Sequence, residues 1–549
     1  MLDNIADLLL MVGLLGIVFE FPTPFALSHM VPGTAMGVLV GDLLFFWMAL
    51  RLARRTGNPH VTAMPLGLDT PSTIGMVFFV LGPSFLHAQG ELGLSELDAA
   101  RYTWHIGICS IVISGLFKFA CAFGANWIRR IVPRAGLLGS LAAISLVLIS
   151  FLPFLEVLHN PIVGLAAMAV ILTTLVARVK LPFRVPGALG ALIIAGGIYY
   201  VMQWTGLLAH PSEVDFSPYE ALLPHGWFEV FSFGWLAQLD DAIHYLPIVI
   251  PFALGTVVGG IDCTESAAAA GDEYDTNRVI GVEAFATLVA GMCGGVIQTT
   301  PYIGHPAYKA MGGRAAYTLA TALFVGGAGL LGYFGYLYLV IPKATVFPIL
   351  IFIGLEITSQ SFKATPRRHY PALVLACVPA LAALANIYVD KLTGELTAQS
   401  GGVPPTFSAS LELEIETVRV LANGFIVTSL LWASWLAALI DRRFLGAATC
   451  CGIAAVFSLF GVIHSPLLGG AVFLPLRADW LPADSVIPAH MLLDANSIAT
   501  PFRYTVGYLL VALILLAWGW WNRRHGVHPL TEAELEAELD AEPAAEHFP

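Results

Sequence analysis

Apolar runs separated by charged or Pro/Gly-rich breaks follow one another through almost the whole of this 549-residue chain. About 20 such residues cross a hydrocarbon core as a helix, and backbone inside lipid must satisfy its polar groups within the protein. The runs read as sixteen candidate spans: 5–28, 33–53, 62–86, 103–127, 136–155, 161–178, 186–204, 243–268, 279–296, 297–311, 315–340, 344–362, 371–390, 413–440, 444–463 and 504–521. Only 12% of the residues are charged and 57% are hydrophobic, against about 25% and about 45–50% in soluble domains. That balance excludes a string of soluble domains and equally a disordered chain. The fold class expected is an all-α polytopic membrane protein.

The basic residues give the orientation. Alternating spans with an inside N-terminus place nineteen of the 26 Lys and Arg residues on one side, as the positive-inside rule requires of the cytoplasmic face. Both termini are expected to be cytoplasmic, in an inner (plasma) membrane. The acidic start MLDNIAD lacks the positive charge of a signal peptide. The net charge of -12 owes seven acids to the tail after Thr531, so it points to no partner, and nothing resembles a basic nucleic-acid surface. The seven cysteines lie mostly in apolar runs without metal spacing, and no metal or other cofactor is expected. Trp227 and Trp235 in the outer stretch 205–242, with Trp204 just before it, suggest an interfacial helix, and 391–412 and 464–503 read as connectors.

Two hydrophobic segments are interrupted alike. VTAMPLGLDTPSTIGMVFFVLG (61–82) and GGVIQTTPYIGHPAYKAMGG (294–313) each pair an extended half with a Thr-Pro step, Thr70-Pro71 and Thr300-Pro301, and then a helix-compatible half. Proline at a first helical position marks a helix start. At mid-membrane it means a half-helix, and paired breaks of this kind point to the binding site of an inverted-repeat transporter. The offset from Pro71 to Pro301 is 230 residues, which gives seven spans per half. The domains expected are 1–204 and 243–440 as the two repeats, 205–242 as an outer loop, 441–525 as two additional spans, and 526–549 as an acidic tail.

Few ionisable groups remain inside the apolar runs. Asp262 and Glu265 sit three apart on one helix face, in a segment where a mid-bilayer carboxylate costs roughly 2.5–3.5 kcal/mol and must face a cavity, a partner or a proton. Lys118 lies two-thirds along its span, within snorkelling reach of the inner face. Glu20 and His29 belong to the first span, and Asp69 and His305 flank the two breaks.

The run from Thr264 to Leu323, TESAAAAGDEYDTNRVIGVEAFATLVAGMCGGVIQTTPYIGHPAYKAMGGRAAYTLATAL, resembles the core of the xanthine/uracil permeases, the nucleobase:cation symporters, nearest the hypoxanthine/guanine/adenine branch; PALVLACVPALAALAN from Pro371 adds to the likeness. The resemblance implies fourteen helices in two inverted sevens, a core and a gate domain, strand-plus-half-helix third and tenth elements, and a possible homodimer. It puts the substrate carboxylate at Asp262. The family's second carboxylate falls on Gly304, beside His305, which titrates near neutral pH.

The function expected is proton-coupled uptake of a purine or related nucleobase, not an enzymatic activity. Asp262 and Glu265 would bind the ring, Thr70, Pro71, Ser72, Thr299, Thr300, Pro301, Tyr302, Gly304 and His305 would line the pocket, and Asp262, His305 and Glu20 would carry the proton. A small-anion transporter of the same fold, for sulfate, bicarbonate or a carboxylate, is the alternative that the departure at Gly304 favours, because half-helix amides suit an anion. A non-transporting membrane sensor is the third.

Overall fold

The computed structural model describes residues 2–525 except 91, 125–133, 183, 184, 186, 209–221, 303, 304, 311, 364, 401, 402, 404, 468–471 and 482–491. The acidic tail and its capping box at Thr531 lie outside the described residues. The elements used below are α1 (Leu2–Phe19), α2 (Val31–Thr56), β1 (Leu66–Leu68), α3 (Thr70–Met76), α4 (Glu96–Ala122), α5 (Arg134–Ile144), α6 (Leu246–Ala269), α7 (Thr276–Met292), β2 (Thr299–Pro301), α8 (His305–Ala310), α9 (Ala316–Leu330), α10 (Tyr370–Gln399), α11 (Ala409–Ala422), α12 (Phe425–Ile440), α13 (Phe444–Leu459) and α14 (Ala499–Arg524).

Among the described residues nine helical stretches are long and apolar enough to cross a membrane, or eleven if two bent pairs count as spans. Sixteen were expected from the apolar runs, and the difference has local causes. The spans expected at 5–28 and 33–53 divide elsewhere: the chain turns at Glu20, which has φ 54°, and then runs as one helical stretch over Thr23–Thr56. Pro32 sits in that stretch without ending it, because the turn Ala26–Met30 widens to i→i+5 bonding before it. The expected spans 315–340 and 413–440 are each bent, by 88° and 75°. The second bend falls at Gly424, φ 70°, where an added Cβ would lie 2.2 Å from the Val462 carbonyl.

The chain forms two compact units, one of residues 1–131 and 149–353, the other of 132–148 and 354–549. At the centre of the first lies a two-stranded antiparallel ribbon, with Leu66 opposite Pro301, Gly67 opposite Thr300 and Leu68 opposite Thr299. Helices α1, α2, α6 and α7 pack around it, and α4 reaches it through Lys118. Gly33 makes that packing possible: a Cβ there would lie 2.2 Å from both the Cys293 carbonyl and the Gly295 amide, so α2 meets the chain entering β2 at backbone contact. The expected interfacial helix in 205–242 falls partly on 209–221, outside the described residues. Its described part folds inward as short 3₁₀ turns, with Trp227 and Trp235 buried and the Trp227 indole donating to the Cys293 carbonyl.

In the second unit α5 packs against α10 and α12 through small residues, with Gly139 facing Ala376 and Ala433, and the Ser429 hydroxyl donates to the Ala376 carbonyl at 2.7 Å. Helices α13 and α14 pack on each other and α13 on α12. Residues 391–412, read as a connector, are largely helical, since α10 continues to Gln399 and α11 begins at Ala409.

Candidate functional site

Non-helical backbone at membrane depth persists only where protein saturates its polar groups, and the ribbon meets this condition on both outer edges. On β1 the Leu66 amide donates to Asp42 Oδ1 at 3.2 Å and the Leu68 amide to Asn4 Oδ1 at 3.0 Å. On β2 the Thr299 amide donates to the Thr287 hydroxyl at 3.2 Å, while Pro301 has no N–H to satisfy. The outward carbonyls of β2 accept from Lys118 Nζ, 2.9 Å from Thr299, and from Cys263 Sγ, 3.3 Å from Pro301.

One face of α4 lies along the chain entering β2. Trp104 Nε1 donates to the Gly294 carbonyl at 2.7 Å, Gly107 packs on Val296, the Ser114 hydroxyl donates to Gln298 Oε1 at 2.7 Å, and Lys118 reaches Thr299. Positions 104, 107, 111, 114 and 118 recur at helical spacing, which puts them in one stripe.

Lys118 does not snorkel. Its side chain is fully buried and its ammonium lies 3.0 Å from Glu283 Oε1 on α7, itself fully buried. Glu283 Oε2 sits against Gly260 of α6, where a Cβ would approach to 2.6 Å. Sequence reasoning passed over Glu283 and Asp42. The signal for Glu283 was indirect: a lysine held inside the membrane requires a carboxylate partner.

The half-helices leave opposite ends of the antiparallel ribbon. Helix α3 opens at Thr70 with Asp69 as its cap, Asp69 Oδ2 accepting the Ser72 amide at 2.9 Å, and Pro71 occupies the first turn as expected. Pro301 does not open a half-helix: it closes β2, and α8 starts at His305. Three residue pairs at about 3.3 Å rise separate the two ends of the ribbon by roughly 10 Å. Asp69, Thr70 and Thr300 are half-buried and Tyr302 is exposed, whereas Ser72 and Thr299 are buried. Helix α6 passes both breaks, with Phe252 against Gly75 of α3 and Cys263 on Pro301. Asp262 and Glu265 are on this helix, but their side chains lie outside the described ones, as does Gly304 altogether.

Two expected site residues stand elsewhere. Glu20 is exposed at the turn after α1, not inside a span. His305 is fully buried and places Nε2 3.0 Å from Asp272 Oδ2, while Lys309 Nζ lies 2.7 Å from Asp272 Oδ1. The same carboxylate accepts the Thr62 amide at 3.1 Å, and the Tyr274 hydroxyl donates to the Thr62 carbonyl at 2.6 Å. His305 therefore belongs to a cluster that ties the α6–α7 turn and α8 to the chain entering β1. Among the described residues no group of three or more His, Cys, Asp or Glu side chains could hold a metal ion.

No family description matches the chain, and no curated protein does. Solved structures similar to it include the transmembrane domain of a cyanobacterium bicarbonate transporter, BicA, at 15% identity and a TM-score of 0.41, covering 79% of this chain and 97% of that one. Another is SLC26A9, at 12% identity and a TM-score of 0.41, covering 76% of this chain and 66% of that one. The assignment to the xanthine/uracil permeases is corrected: no family or curated relative carries it, and the structural likeness runs to BicA and SLC26A9 instead. What stands is coarser, a helical polytopic membrane protein with one short two-stranded ribbon.

Proposed function

We propose that the chain is a secondary transporter that moves a small anion, bound where the ribbon's ends give way to helices. The observation that supports this reading is the ribbon itself, non-helical backbone pinned on both edges by buried side chains of five surrounding helices. Paired breaks of this kind in two halves of a chain are where inverted-repeat transporters hold their solutes. Here the accessible groups are hydroxyl donors, Thr70 toward one end and Thr300 and Tyr302 toward the other. The positive end of α3 favours negative charge there. Antiparallel pairing of residues 231 to 235 positions apart is what two inverted repeats produce about an axis in the membrane plane, and so supports the seven-plus-seven organisation. The distribution of Lys and Arg supports cytoplasmic termini.

The test is flux in proteoliposomes with labelled sulfate, formate and bicarbonate, the last being the substrate named for BicA, and with xanthine and uracil as controls. Uptake of at least one anion, lost in the double variant Thr70→Val/Thr300→Val, is the expected result. Absence of anion flux through folded, correctly inserted protein overturns the reading.

A further inference from the structure

The buried Lys118–Glu283 pair joins α4 and α7 at the edge of the ribbon. Both side chains are fully buried, and the lysine is bound at once to the carboxylate at 3.0 Å and to the Thr299 carbonyl at 2.9 Å. The residue after Thr299 is the half-buried Thr300, one of the accessible hydroxyls at the break. The charge balance of this pair therefore acts one residue away from the place where a solute would sit.

We infer that Glu283 is the proton acceptor through which the membrane proton gradient drives anion binding. The inference rests on the small-anion reading above. With Glu283 ionised, its charge cancels that of Lys118 and the ribbon presents no net positive charge. When a proton adds to a carboxylate oxygen of Glu283, the Lys118 ammonium is left uncompensated beneath β2, still held by Thr299. An anion arriving beside Thr300 then restores neutrality. One proton and one negative charge enter the site together, so the loaded carrier is no more charged than the empty one, which suits passage through a low-dielectric barrier.

Among the described residues the surroundings carry few competing charges. On α4 the neighbours of Glu283 are Lys118 and the thiol of Cys121, on α6 Thr256, and on its own helix Thr287. Asp69 at the cap of α3 is the other carboxylate in electrostatic reach of the pair, and it is engaged with the Ser72 amide. Asp42 on α2 is directed to the Leu66 amide. Asp262 and Glu265 are carried by α6, the helix whose Gly260 touches Glu283.

Two measurements test the inference. Infrared difference spectra of the full chain in lipid vesicles, taken across a pH titration, are expected to show a protonated-carboxyl band on acidification that is missing from Glu283→Gln. If the band is unchanged in that variant, Glu283 is not the proton acceptor. Binding of sulfate, formate and bicarbonate is then followed by thermal shift. Wild-type protein is expected to bind about tenfold more tightly at about pH 5.5 than at about pH 8.5, and Glu283→Gln to bind at both values with the affinity of the acidic wild type. Should Glu283→Gln fail to fold, proton uptake by unbuffered wild-type protein on anion addition replaces it, with about one proton per anion expected. Anion binding without pH dependence or proton uptake overturns the coupling and leaves the transporter reading in place. If none of the three anions binds wild-type protein at either pH, the small-anion reading itself fails.

Discussion

The Asp42 carboxylate accepts the Leu66 amide at 3.2 Å, so a side chain of α2 stands where a third strand would otherwise pair with β1. Asp42 is fully buried, and removing its oxygens would leave a buried N–H without a partner at a cost of about 1–3 kcal/mol. Asp42→Leu is therefore expected to lower the thermal unfolding midpoint in detergent, while Asp42→Asn, which keeps an acceptor oxygen, retains most of it. Equal midpoints for the two variants would show that the edge contact carries little weight.

Backbone contact between α2 and the entry to β2 makes a second prediction. A methyl group at Gly33 must push aside the Cys293 carbonyl and the Gly295 amide, each 2.2 Å from its position. Overpacking of this kind costs about 1–3 kcal/mol, and rigid backbone on the far side offers little relief. Gly33→Ala is expected to be poorly stable or inactive. Gly13→Ala, with nothing within 4 Å of its Cβ, is expected to match or exceed wild type in the same thermal assay, since alanine is the better helix former by up to ~1 kcal/mol.

Breaking the Lys118–Glu283 pair one partner at a time leaves a buried charge alone, which costs about 3–5 kcal/mol. Lys118→Met is accordingly expected to be strongly destabilised, and Lys118→Met/Glu283→Leu to recover much of the loss. A double variant no more stable than Lys118→Met would mean that the pair is not coupled as the geometry indicates.

These residues also mark what could be read from the chain alone. The two breaks were legible because Thr70-Pro71 and Thr300-Pro301 combine residues of restricted backbone behaviour in apolar runs, and pattern suffices for that. Pairing of the two extended halves, the cap at Asp69 and the closing of β2 by Pro301 instead of a helix start there depend on register. So do Glu283 and Asp42: each is one acid in a helical run, and its role comes from a helix distant in the sequence. The permease resemblance failed for a related reason. Small residues and glycines at a broken membrane helix recur wherever backbones must approach closely, whatever the solute.

In the second unit, His464 follows α13 and makes a chain of hydrogen bonds. Its Nδ1 faces the Val420 carbonyl at 3.3 Å, and its Nε2 lies 2.8 Å from the Tyr508 hydroxyl, which accepts the Trp432 indole N–H at 2.9 Å. Burial pushes the imidazole down from 6.5 to about 4, opposed in part by the Val420 carbonyl. The unfolded chain therefore takes up this proton first. The unit is expected to keep its full stability above about 6.5 and to lose stability as the pH falls from there toward about 4. Thermal midpoints against pH are expected to fall less steeply in His464→Gln, and identical slopes would remove the histidine from the account.

A solute held at the ribbon would shield a thiol placed there. Thr300→Cys in proteoliposomes is treated with a charged, membrane-impermeant thiol reagent, with the wild-type protein and its seven cysteines as background. The anion that supports flux is expected to slow labelling at position 300 over the concentration range in which it saturates transport. Labelling that stays unchanged while the same anion is being carried would place the solute elsewhere and contradict the account.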